Sequence, residues 1–173
     1  MRGASSDVWE VMSTARTIRR FTDQPVDDAT LERCLQAATW APSGANAQAW
    51  RFIVLRSPEQ RAVVATAAAR ALEVIEQAYE MSRPDPSDDS RRARDNRATY
   101  ELHDRAGEFT SVLCTQKRLR MASDLLRGGS IFPAMQNFLL AARAQGLVAC
   151  MTSWATMAGS SCFVMRWESP TTG

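Results

Sequence analysis

The chain has 173 residues, 45% of them apolar and 23% charged, with a formal net charge of +2. That is the composition of a soluble globular protein of one domain, spanning 1–173, with room for a sizeable core, and it implies no surface for nucleic acid. Cys34, Cys114, Cys150 and Cys162 lie far apart with no CxxC pair or Cys/His cluster, which argues against a metal site and against a disulfide framework.

Asp7 and Glu10 have the spacing of a capping box, which predicts a helix from Asp7 to about Thr14 with Val8, Val11, Met12 and Ala15 on its core face. Polar and apolar residues then alternate through ARTIRRF, residues 15–21. Arg16, Thr17 and Arg19 suit either a solvated basic turn or a holder for a phosphate and an adjoining polar ring edge, because guanidinium forks make paired, charge-assisted bonds. A second helix is predicted over Ala29–Thr39, capped by aspartate and ended by Pro42. Residues 43–48, SGANAQ, are too small and polar for a core, and Gly44 permits close approach of a ligand to the backbone.

Trp50–Leu55 reads as a strand. Ser57, Pro58 and Gln60 start a long helix reaching Met81. Residues 82–106 hold six arginines, six acidic residues and two prolines, and read as an exposed excursion or lid, helical toward its end. The lone histidine, His103, falls there and is expected to be solvated. TSVLCT, residues 110–115, reads as a strand, and residues 116–120 as a solvated basic cluster. Ser130 is expected to cap a helix over Ile131–Ala144, buried on most sides and closed by Gly146. Leu147–Met151 and Cys162–Trp167 read as strands, and 158–173 is an atypical tail. With no apolar run of about 18 residues and no visible signal peptide, the expectation is a cytoplasmic protein away from membranes.

ARTIRRF followed by APSGANAQAWRFIV resembles the FMN-dependent nitroreductase family, as does SIFPAMQNFLLAARAQGL with Thr152 and Trp154 soon after. The resemblance covers about residues 7–157. It implies an α+β, nitroreductase-like three-layer fold: a central, mainly antiparallel sheet flanked by helices, in an intertwined homodimer. It implies FMN as cofactor and NAD(P)H as electron donor, with hydride passed to a nitroaromatic, quinone or similar small-molecule acceptor by a ping-pong mechanism. Arg16 and Thr17 match residues that grip the FMN phosphate and ribityl chain, and Arg19 a basic residue near the pyrimidine edge. Pro42, Ser43, Gly44 and Asn46 match the stretch that approaches the flavin from the partner subunit. Thr152 and Ser153 lie where backbone amides meet the ring. No catalytic side chain is required, because the flavin carries the chemistry. Ala15, Ala49 and Val148 depart from the family's usual arginine, proline and glycine. The chain also reads as a C-terminally short or truncated member, since relatives continue to a basic residue at the phosphate. The alternative reading is a degenerate flavin- or deazaflavin-binding, or dimerisation-only, member.

Overall fold

A computed structural model describes residues 3–22, 24–116, 124–152, 154 and 163–168, with the backbone alone for 116, 124–127 and 163–168. In chain order the elements are α1 (Val8–Thr14), α2 (Asp28–Thr39), a 3-10 turn (Gly44–Asn46), β1 (Trp50–Leu55), α3 (Pro58–Tyr79), α4 (Arg91–Asp104), β2 (Ser111–Gln116), α5 (Asp124–Ala144), β3 (Val148–Thr152) and β4 (Phe163–Glu168).

Helix starts follow local chemistry. Asp7 accepts from the backbone N–H of Trp9 and Glu10, and Asp27 from that of Thr30. Ser57 and Gln60 close a full capping box with Pro58 in the first turn. The box expected at Asp7 runs instead through Ser5, whose hydroxyl donates to Glu10 at 2.8 Å and accepts from the Asp7 N–H at 3.2 Å. On α1 only Val11 is buried, while Val8, Trp9 and Met12 face solvent. α3 turns Val64, Ala68 and Ala71 inward, and leaves Val63 and Val74 exposed.

The four strands form one antiparallel sheet in the order β1-β2-β4-β3. Period-two alternation sends neighbouring residues to opposite faces. In and beside β3, Leu147 and Ala149 join a core with Leu31, Cys34 and Ala38 of α2 and Met135, Phe138 and Ala142 of α5. Val148 and Cys150 join the opposite core, with Val64, Ala68 and Ala71 of α3 and Leu102 of α4. The result is helix, sheet, helix: the three-layer, nitroreductase-like architecture expected.

Two regions differ from the sequence expectation. α5 begins at Asp124, so Gly128, Gly129 and Ser130 lie inside it. It buries one face, through Ile131, Ala134, Met135, Phe138 and Ala142, while Phe132 stays 46% exposed. The 82–106 excursion is helical over fourteen residues and packs on α3. Arginines clamp it: Arg83 makes a bidentate pair with Asp104 at 2.7 and 2.8 Å, and Arg97 donates to the Asp85 and Asp88 carbonyls. His103, expected in solvent, is only 7% exposed. The polar neighbours that suggested solvation point away, while the histidine sits on the helix's inner face with Ala93, Tyr100 and Leu102.

Candidate functional site

Residues 15–21 run along the outer edge of β3. Thr17 forms a parallel bridge with Ala149, and the Ile18 N–H reaches the Ala149 carbonyl at 3.4 Å. Phe21, 4% exposed and 5.4 Å from the Phe109 ring, anchors the far end, with Ile18 packed on the same core. The alternation read from the sequence holds only over Thr17, Ile18 and Arg19: Phe21, which strict period two would place with Thr17 and Arg19, turns inward with Ile18, and Arg20, expected on Ile18's side, is exposed. Ile18 and Phe21 turn inward, while Arg16, Thr17 and Arg19 face solvent.

Thr14, Ala15, Arg16, Thr17 and Ile18 form one wall of a cavity of about 390 Å³. Gln136, Leu139 and Arg143 of α5 form the second wall, and residues 146–149 the third. Its size lies within the range of small-ligand sites, and no carboxylate lines it. Arg16 donates to the Ser13 and Ala15 carbonyls at 2.9 and 2.7 Å, placing its cation at the C-terminal end of α1. Arg143 lies deeper, its side chain 11% exposed. Its Nε donates to Thr14 Oγ1 and its Nη1 to the Gly3 carbonyl, both at 2.9 Å. Nη2 is buried without a hydrogen-bond partner, 3.7 Å from Glu10 Oε1. Arg143 was missed in the sequence reading. The available signal was that it is the one charge in the run 131–144. The residues present fit a phosphate-bearing group: two guanidiniums, a threonine hydroxyl and strand-edge backbone around an acid-free cavity.

Pro42, Ser43, Gly44 and Asn46 do not line this cavity. Their turn is fastened to α5 at Ser130, whose Oγ accepts from the Gly44 N–H at 3.2 Å. Ser43 Oγ accepts from the Gln48 N–H, and the Gln48 amide donates to Asn46 Oδ1. Ala45, Asn46 and Gln48 all have positive φ, 52°, 52° and 46°. Three non-glycine residues in that region store strain of the kind that collects at ligand clamps. Ser130 and Arg143 are thirteen residues apart on α5, about 20 Å along the axis. The two predicted clusters therefore sit well apart along one helix.

Thr152 closes β3 opposite Val164 and is 8% exposed. Ser153 lies outside the described residues. Trp154, 2% exposed, donates through its indole N–H to His103 Nε2 at 2.8 Å. Burial pushes the Cys34 thiol up to about 11, so it is not a nucleophile near neutral pH. Among the described residues no group of three His, Cys, Asp or Glu side chains could hold a metal, and no helix is long and apolar enough to cross a membrane.

The nitroreductase family model matches residues 12–166. Rat iodotyrosine deiodinase 1 is 34% identical over 61 residues, 35% of this chain and 21% of that protein. A protein of Archaeoglobus fulgidus assigned as an NADH dehydrogenase/NAD(P)H nitroreductase is 42% identical over 50 residues, 29% of each. The chain spans less than a third of the length of either curated relative in these matches. In fold it is similar to a Desulfovibrio desulfuricans protein assigned as a nitroreductase and solved with FMN. That match has a TM-score of 0.67 at 23% identity, covering 98% of this chain and 89% of that one.

Proposed function

The chain belongs to the nitroreductase family, and from that premise we propose a flavin-dependent oxidoreductase that takes electrons from NAD(P)H and passes them to a nitroaromatic, quinone or similar acceptor in ping-pong order. The observation that carries this is the cavity on the β3 edge, where Arg16, Thr17 and Arg143 surround a space free of carboxylates. FMN supplies hydride chemistry when bound, and the protein supplies binding, orientation and electrostatics. Arg16 and Thr17 hold the phosphate and ribityl end. Arg19 places positive charge toward the pyrimidine edge, where reduction deposits negative charge. The backbone at Thr152 orients the ring.

The same reading makes the protein a homodimer in which Pro42, Ser43, Gly44 and Asn46 serve the partner's flavin. It is supported by the separation of the two clusters along α5 and by the solvent-facing apolar side chains Val8, Trp9 and Met12 of α1 and Phe132 of α5. The test is an absorption spectrum of the purified protein with mass identification of released cofactor, then NAD(P)H oxidation with a nitroaromatic or quinone. A yellow protein that turns over is expected; one that stays colourless after excess FMN sinks the proposal. The match to iodotyrosine deiodinase favours a second reading, reductive removal of iodide from an iodinated phenol. Iodide release from 3-iodotyrosine under reducing conditions, without nitroaromatic turnover, would select it.

A further inference from the structure

His103 is held by both of its ring nitrogens. Nδ1 lies 2.7 Å from the Thr99 carbonyl and Nε2 2.8 Å from the Trp154 indole nitrogen. A carbonyl only accepts and an indole N–H only donates, so Nδ1 carries the proton and Nε2 is the bare acceptor. The rings meet at 5.0 Å with a 54° tilt. The contact joins α4 to a residue just past the end of β3. Pairing of β3 with β4 ends at Thr152 opposite Val164. The next described anchor of the backbone is the Trp154 indole, two residues on. α4 is itself fixed, through Arg83 on Asp104 and through Arg20 on Glu101 at 3.0 Å.

We propose that His103 is a positioning residue: through Trp154 it sets the end of β3, and with it the Thr152 backbone, against the flavin ring. The 82–106 excursion is thereby coupled to the cofactor. The inference rests on the flavin reading above. A buried, neutral histidine suits the role because its acceptor nitrogen is aimed by the Nδ1–H bond at the other side of the ring. Coupling of this kind is reciprocal, so FMN binding should in turn protect α4.

The test uses the full chain with His103→Phe, His103→Gln, Trp154→Phe and the double variant His103→Phe/Trp154→Phe. In the apoprotein, the Trp154 indole N–H resonance, assigned by its loss in Trp154→Phe, should move in His103→Phe and return in His103→Gln, whose amide oxygen can accept. His103→Phe and Trp154→Phe should each weaken FMN binding about tenfold, the equivalent of one good hydrogen bond. His103→Gln should restore affinity, and the double variant should lose no more than either single. In wild type, FMN should slow amide exchange in α4, and this protection should vanish in Trp154→Phe. If His103→Phe shifts the resonance but binds FMN like wild type, or if FMN leaves α4 exchange unchanged in wild type, the inference is overturned while the flavin reading stands. Trp154→Phe reads the same contact should His103→Phe fail to fold. Wild type without any FMN affinity overturns the flavin reading itself, and this inference with it.

Discussion

At one end of α5, residues 14–18 lie on a strand edge, backed by Arg143 and anchored by the buried Phe21. Farther back along the helix, the turn over residues 43–48 is largely exposed, strained at three positive φ values, and tied to the helix by one hydroxyl, that of Ser130. The first region is built by burial and backbone pairing. The second is built by side-chain hydrogen bonds and offers itself outward. A ligand-facing element can be made rigid either way, but only the first way leaves it insensitive to the loss of a single surface group.

The largest expected effect is on the buried region. Arg143→Met leaves the Gly3 carbonyl, Thr14 and Glu10 without their cation, and should cost about 2–3 kcal/mol of stability. It would be read from the urea midpoint at unchanged slope. Arg16→Ala probes the same corner differently: its exposed guanidinium only caps helix carbonyls, so stability should stay nearly constant. FMN affinity should fall by about 1.5–3 kcal/mol for a lost charge-assisted contact, and equal losses in both quantities would argue against the phosphate role. Ser130→Ala attacks the other region. The Gly44 N–H loses its partner at a cost of about 1 kcal/mol, and flavin retention should drop with no change at the β3 edge, as amide exchange would show. Ala45→Gly should move the opposite way, relieving the left-handed backbone for a net gain of about 0.5 kcal/mol in thermal unfolding.

Asp104, outside both regions, gives the smallest effect. The hydrogen bonds from Arg83 hold its carboxyl below the usual carboxylate range. A depressed carboxyl stabilises the fold above its unfolded value near pH 4 and loses that contribution as pH falls through the lower folded value. The group is about half exposed, so the loss should stay below about 0.5 kcal/mol. It should appear as lower protection factors in α4, corrected for the intrinsic exchange rate, as pH falls from 5 to 3, with the two ligand-facing regions unchanged.

Much of the fold was legible because its signals are local. Ser57 and Gln60 announce α3, the apolar run 50–55 gives β1, and Gly146, at φ 79°, turns the chain into β3. The alternation over residues 17–19 gave the inward Ile18 between two outward side chains, but not the burial of Phe21. What stayed hidden depends on partners distant in sequence. Nothing near His103 predicts that Trp154, fifty-one residues on, will take its Nε2. Arg143 reads as the basic end of a helix until Thr14 and Gly3 fold against it. Ser130 looked like a cap because Gly128 and Gly129 precede it, yet the helix carries both glycines and spends the hydroxyl on Gly44. The roles proposed toward the flavin rest on the resemblance, since Arg16 and Arg19 look like any exposed arginines.

The bridge between Thr17 and Ala149 has a consequence for solubility. Among the described residues β3 ends the sheet on that side. An uncovered outer strand offers free N–H and carbonyl groups to any passing chain, and is a template for aggregation. The segment that carries the candidate phosphate grip is also the guard rail of the sheet. A sequence free to drift in its ligand chemistry would still be held to an extended, β-compatible corner there, and trimming the chain back past Phe21 would be expected to trade a binding defect for a precipitate.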